Sequence, residues 1–171
     1  MPWDDRFLAL FDRCLRRYQS GDRDWGGYYA AADLALMSSI GCRQREFFDF
    51  IEDFGDAGDP APPTALLVAA VRREYFLFEQ RGVTSRVTLA KDDLPTFGDA
   101  IGGIHYLPRV IAKARAKLRG ELDPDIMFCC GGDRKFLRQH GGIHPADFLR
   151  HVWWAGDNDW KMVEFVRGCA G

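Results

Sequence analysis

The segment Phe128 to Leu137 holds the side chains with the clearest capacity for chemistry. Two adjacent thiols, Cys129 and Cys130, precede a glycine pair, and Asp133 and Arg134 follow it. A helix that begins near Asp133 places Cys130 at a helix N-terminus, where the helix dipole and nearby cations favour a thiolate over a thiol. The segment therefore predicts a nucleophilic or redox cysteine at Cys130, with Asp133 as the residue that orients the site.

His140 and His144 are the predicted proton partners of this thiol, if the fold brings one of them within hydrogen-bond reach of Cys130. The structural alternative is a buried cysteine that packs as a small apolar side chain. The same histidines and thiols could form a mixed sulfur and nitrogen ligand set. Because Gly141 and Gly142 interrupt the helix between the two histidines, the spacing indicates no metal site.

A basic helix predicted from Pro108 to Arg119 supplies candidate ligands for an anion. Arg109 and Lys113 lie one helical turn apart and, together with Arg134, could receive a phosphate or carboxylate. The basic side chains of this helix are expected to point largely outward: Arg109, Lys113, Arg115, Lys117 and Arg119. The alternative is a solvated face, or one paired with the acidic residues between Asp49 and Asp59.

Trp153 and Trp154 are the candidate aromatic contacts of a ligand or partner, and Trp160 follows closely. Neighbouring residues on a helix cannot both face the same side. One tryptophan of the pair is therefore expected in the core between helices, and the other is expected to be exposed or to cover a ligand.

Apolar residues recur at helical spacing along most of the chain and predict a mostly α-helical fold of seven or eight short helices. The predicted helices cover about residues 4–20, 28–39, 44–54, 64–80, 108–119, 133–139, 145–154 and 159–167. Residues 86–89 and 126–129 read as short strands, so the fold is expected to hold at most a small two-stranded β element.

The predicted organisation is an N-terminal helical half over residues 1–82, a linker or binding loop over 83–106 and a C-terminal helical half over 107–171. The two halves can also pack as one domain. Asp33 to Ile40 followed by Gly41 has the same layout as Asp133 to His140 followed by Gly141. This similarity predicts an internal duplication, although helix stop and cap signals also recur without common descent.

Composition narrows the class of protein. With 23 Lys and Arg against 25 Asp and Glu, the formal net charge of -2 favours neither nucleic acid nor a membrane surface as partner. The acidic N-terminus does not resemble a signal peptide, and no apolar run reaches the ~18 residues of a membrane span. Five scattered cysteines are typical of free thiols in a reducing compartment. The expected location is the cytoplasm.

One combination of residues is similar to a known family. It comprises Leu107, Pro108, Arg109, Lys113, Ala114, Arg115, Ala116, Leu118, Gly120, Cys130, Asp133, Phe136 and Leu137, before a Phe-rich helix. This signature resembles a bacterial family known as domain of unknown function 5069. The resemblance is strongest from about Arg86 to Val166, and the N-terminal half resembles the extension of longer members. Members often have proline where this chain has Gly131, which implies a looser turn here. The resemblance implies no reaction, cofactor or partner.

Two functions from different classes follow from these residues. The leading interpretation is a small-ligand-binding or interaction module, with a pocket between the halves for an anionic small molecule or a protein partner. The alternative is a cysteine-centred enzyme or redox protein, in which Arg109 and Arg134 hold an anionic substrate. No cofactor is predicted, and the sequence leaves open whether the protein is an enzyme.

Overall fold

The chain forms eight α-helices and one two-stranded antiparallel sheet, which confirms the mostly helical prediction. The structure is a computed structural model and describes residues 1–171. It divides into two compact units, Met1–Thr84 and Ser85–Gly171. None of the helices combines the length and the apolar character that crossing a lipid bilayer requires.

The first unit consists of four helices. They are α1 (Trp3–Gln19), α2 (Ala31–Ser39), α3 (Gln44–Ala57) and α4 (Pro62–Phe78). The buried face of α1 packs on α3, where the rings of Phe7 and Phe47 meet edge to face at 5.0 Å. The predicted start of α2 at residue 28 is wrong, because the Asp33 carboxylate accepts the Ala30 N–H and begins the helix at Ala31.

The second unit contains a short hairpin and four further helices. Strands β1 (Ala100–Ile101) and β2 (Ile104–His105) precede α5 (Leu107–Arg119), α6 (Gly131–Gln139), α7 (Pro145–Ala155) and α8 (Asp159–Ala170). Gly102 and Gly103 both have positive φ, as the two central residues of a tight hairpin turn often require. The apolar face of α5 packs against α7 and α8.

Both strands predicted from the sequence are wrong. In the segment 86–89, only Leu89 makes a bridge, to Leu122. Residues 126–129 bury Ile126, Phe128 and Cys129 but form no strand, and Cys129 has a φ of 71° that an extended chain cannot adopt. A short apolar run is compatible with a buried strand or a buried turn, and its pattern does not distinguish them.

Two basic side chains of α5 do not point outward as predicted. Lys113 and Lys117 are only 4% and 3% exposed. Because α5 packs against α7, α8 and the hairpin, little of its surface remains for solvent. Long side chains on such a helix must find partners inside the protein.

One ion pair joins the first and second helices of each unit. Arg13 pairs with Asp33 and Lys113 pairs with Asp133, and in both cases the partners are twenty residues apart in the chain. Gly41 and Gly141 follow α2 and α6, each with positive φ. This correspondence is what a duplication would produce, and the duplication stays a prediction.

Candidate functional site

Asp133 is the centre of a buried polar cluster in the second unit. Its side chain is fully buried in the first turn of α6. Oδ2 accepts hydrogen bonds from Lys113 Nζ at 2.6 Å and from the Cys129 N–H at 2.9 Å. Oδ1 accepts the Tyr106 hydroxyl at 2.9 Å. A buried carboxylate with a cation and two further donors has the partners that burial of its charge requires.

Cys130 lies at the N-cap of α6 and is partly exposed to solvent. Lys113 Nζ donates a hydrogen bond to its Sγ at 3.2 Å. The single ammonium of Lys113 therefore contacts both the Cys130 sulfur and the Asp133 carboxylate. Cys130 thus combines an adjacent cation with a position at a helix N-terminus.

The backbone is strained on both sides of this cluster. Tyr106 and Cys129 have φ values of 69° and 71°. Residues other than glycine rarely adopt this region of backbone conformation. Such a conformation costs about 1–3 kcal/mol and persists where surrounding contacts hold it. At Cys129 the N–H is bound by Asp133, and the carbonyl accepts Arg134 Nη1 at 2.6 Å. Strain of this kind concentrates at functional sites.

Tyr106 is a site residue that the sequence reasoning missed. Burial raises the pKa of the Tyr106 hydroxyl above its usual range, and the neighbouring Asp133 carboxylate raises it further. Tyr106 therefore stays a protonated donor to Asp133 at all physiological pH values. Its position directly before the Leu107-Pro108-Arg109 run was the available signal, but nothing local in the sequence distinguishes it from an ordinary loop tyrosine.

The arginines predicted to bind an anion have partners within the protein. Arg109 Nη1 donates to the Pro95 carbonyl at 2.7 Å, and its guanidinium lies 4.5 Å from the centre of the Phe97 ring. Arg134 is 6% exposed and bound to the Cys129 carbonyl. With Lys113 buried as well, the three cations support the fold around Cys130, and they do not form one exposed cluster.

The two candidate histidines contact the backbone of their own segments. His140 Nδ1 donates to the Phe136 carbonyl at 2.8 Å, and the rings of these two residues are 4.2 Å apart. His144 Nδ1 accepts the Ala146 N–H at the N-terminus of α7. The charged group in contact with Cys130 is Lys113, at the place that the sequence hypothesis gave to a histidine. No group of three or more His, Cys, Asp or Glu side chains is arranged to hold a metal ion.

The tryptophan pair lies on α7 with one ring more exposed than the other. Trp153 is partly buried, whereas Trp154 is 66% exposed and has the Lys161 ammonium 4.5 Å above its ring. Trp154 borders a shallow recess with Arg150 and His151. Neither tryptophan takes part in the polar cluster around Asp133.

Comparison with known proteins concerns the second unit. Residues 96–170 match the family described as Domain of unknown function (DUF5069). This segment contains Tyr106, Lys113, Cys130 and Asp133, and thus the whole polar cluster. No curated protein and no solved structure matches the chain. Over residues 96–170 the chain is thus similar to domain of unknown function 5069, as its sequence signature indicates.

Proposed function

We propose that the second unit is a cysteine-centred domain in which Cys130 is the reacting nucleophile. The observation that carries this proposal is the buried Lys113 ammonium, 3.2 Å from the Cys130 sulfur and 2.6 Å from Asp133. Lys113 stabilises the thiolate by charge and by a hydrogen bond. Asp133 holds Lys113 in place, and Tyr106 in turn holds Asp133.

Comparing the ion pairs of the two units helps to distinguish a structural role of such a pair from a chemical role. Arg13 and Asp33 join its first two helices as Lys113 and Asp133 do in the second unit. The N-cap of α2 is Ala30, however, whereas the N-cap of α6 is Cys130. An ion pair that served only to join two helices would need no thiol beside it. The added sulfur therefore supports a chemical role in the second unit.

The reaction class is nucleophilic attack on an electrophilic carbon. The thiolate electron pair forms a sulfur–carbon bond, and the leaving atom departs with the electron pair of the bond that breaks. The partial exposure of Cys130 gives an electrophile access to the sulfur, while Lys113 and Asp133 stay shielded from solvent. A buried ammonium keeps more of its electrostatic effect than an exposed one, since water and salt screen it less.

The test is alkylation of the native chain by iodoacetamide at pH 7, read at each cysteine by mass spectrometry. The thiolate displaces iodide, so the rate reports the thiolate directly. A free cysteine is only a few per cent thiolate at this pH, and we expect Cys130 to react at least about tenfold faster than the exposed Cys169. Equal rates at the two cysteines would overturn the proposal.

Two variants assign the effect to Lys113. Lys113→Arg keeps a cation beside Asp133 and is expected to retain most of the rate advantage of Cys130. Lys113→Met removes the cation and is expected to reduce the rate at Cys130 to that of Cys169. Circular dichroism of each variant shows whether the fold persists. If Lys113→Met unfolds the chain, the wild-type comparison of Cys130 with Cys169 still decides the proposal.

A further inference from the structure

A cavity of about 540 Å³ opens in the second unit beside α6. Its volume lies within the range of small-molecule binding sites. Its lining includes the side chains of Phe97, His105, Tyr106, Lys135, Phe136 and His140. Phe97, His105 and Tyr106 precede the thiols in the chain, whereas Lys135, Phe136 and His140 follow them, so the cavity is a product of the tertiary fold.

One wall of the cavity is a connected row of aromatic rings. Phe97 stacks on Tyr106 with a centroid distance of 5.6 Å and an angle of 12° between the rings. Tyr106 contacts Phe136 at 5.7 Å, and Phe136 contacts His140 at 4.2 Å. Phe97 is nevertheless 70% exposed. A flat apolar molecule lying against this row would remove apolar surface from water, including that of Phe97.

The polar groups of the cavity favour a negative charge. The residues that line it include one lysine and two histidines, and they include no aspartate or glutamate. Nδ1 of His105 donates to the Gly98 carbonyl at 3.0 Å and Nδ1 of His140 to the Phe136 carbonyl, so each ring keeps Nε2 for another partner. Lys135 is exposed and forms no salt bridge. An anionic group would therefore meet a cation and no opposing carboxylate.

We infer that this cavity binds a small ligand with a flat apolar body and a carboxylate. The body lies against Phe97, Tyr106 and Phe136, and the carboxylate faces Lys135. The inference goes beyond the thiol chemistry proposed above, since it depends on the cavity and does not require Cys130 to react. The two sites are adjacent: a Cβ added to Gly132, which lines the cavity, would lie 3.9 Å from the Cys130 sulfur.

Calorimetric titration of the full chain with 2-naphthoate tests the inference. The matched probe is 2-naphthylmethanol, which has the same aromatic body and no charge. We expect naphthoate to bind at least about fivefold more tightly than the alcohol, because one charge-assisted hydrogen bond is lost in the alcohol complex. Equal affinities, or no binding of naphthoate at millimolar concentration, would overturn the inference.

Two pairs of variants locate the site. Lys135→Gln is expected to weaken naphthoate binding about fivefold, whereas Lys91→Gln, at an exposed lysine outside the cavity, is expected to change it less than about twofold. Phe97→Ala is expected to weaken both probes, with Phe78→Ala as control, since Phe78 is similarly exposed at 75% and lies in the first unit. If Lys135→Gln and Phe97→Ala leave the binding of the probes unchanged, the probes bind elsewhere and the inference is wrong.

Discussion

Lys113 and Asp133 form an ion pair of 2.6 Å in which the two side chains are only 5% and 0% exposed. Arg13 and Asp33 form the corresponding pair in the first unit, but the side chain of Arg13 is 50% exposed. Both pairs join two helices, yet only the buried one contacts a thiol. The ion pair of the first unit thus stabilises the contact between two helices. In our proposal, the ion pair of the second unit stabilises such a contact and also takes part in the chemistry of Cys130.

The burial of the Lys113–Asp133 pair predicts a large cost for breaking it. Lys113→Met leaves the Asp133 carboxylate buried without its cation, and we expect a loss of about 3–5 kcal/mol in the free energy of unfolding. Arg13→Met breaks the more exposed pair and is expected to cost about 1 kcal/mol or less. Urea unfolding followed by circular dichroism measures both. Similar costs for the two variants would show that burial does not govern the strength of these pairs.

The double variant Lys113→Met with Asp133→Leu gives a second measurement on the same pair. Replacing both charges by apolar side chains removes the unpaired carboxylate and is expected to recover part of the stability lost in Lys113→Met. Alkylation at Cys130 is expected to stay slow in this variant, because no cation is restored beside the sulfur. Recovery of the fast rate together with stability would point to a cause other than the ammonium.

The two glycines after α6 predict different responses to the same substitution. A Cβ added to Gly141 would lie 2.0 Å from the Cys169 carbonyl oxygen, whereas one added to Gly142 meets nothing within 4 Å. Both have positive φ, so alanine costs about 1 kcal/mol at either position. We expect Gly141→Ala to cost at least about 2 kcal/mol more than Gly142→Ala, because α8 must move. Thermal melting of the two variants checks this, and equal melting temperatures would contradict the contact.

The buried thiol of Cys14 predicts a loss of stability in alkali. Burial raises the pKa of Cys14 from 9.0 to about 11. Between these two pH values the folded chain keeps the Cys14 proton and the unfolded chain loses it, so the unfolded state binds fewer protons and stability falls as the pH rises. Below pH 8 the contribution is fully present. The expected loss across the interval is at most about 3 kcal/mol.

The corresponding measurement is urea unfolding at pH 7 and at pH 10.5. Cys14→Ala removes the thiol, so its stability is expected to fall less over this interval than that of the wild type. Cys169→Ser changes an exposed thiol and is expected to leave the wild-type pH dependence as it is. An identical pH dependence in Cys14→Ala and the wild type would show that this thiol does not titrate as its burial requires.

Local patterns in the sequence were sufficient for most helices and for one part of the site. The i, i+3, i+4 spacing of apolar residues and the glycines after α2, α5 and α6 act within one or two helical turns, so they locate these helices without knowledge of the fold. The same reasoning placed Cys130 at the N-terminus of α6 and Asp133 in its first turn, and the structure has both there.

The tertiary structure alone decided what surrounds that cysteine. Lys113 was expected to face solvent, because a basic residue on an amphipathic helix usually does, but the packing of α5 on three neighbours buries it beside Cys130. Tyr106 reaches Asp133 across 27 residues of chain, and the rings of Phe97 and Phe136 both contact Tyr106 in one wall. Contacts between residues so far apart depend on how elements pack, and the periodicity of a single element carries no information about its neighbours. The sequence by itself thus determined the helices and the place of the thiol, whereas packing decided its charged partner and the cavity beside it.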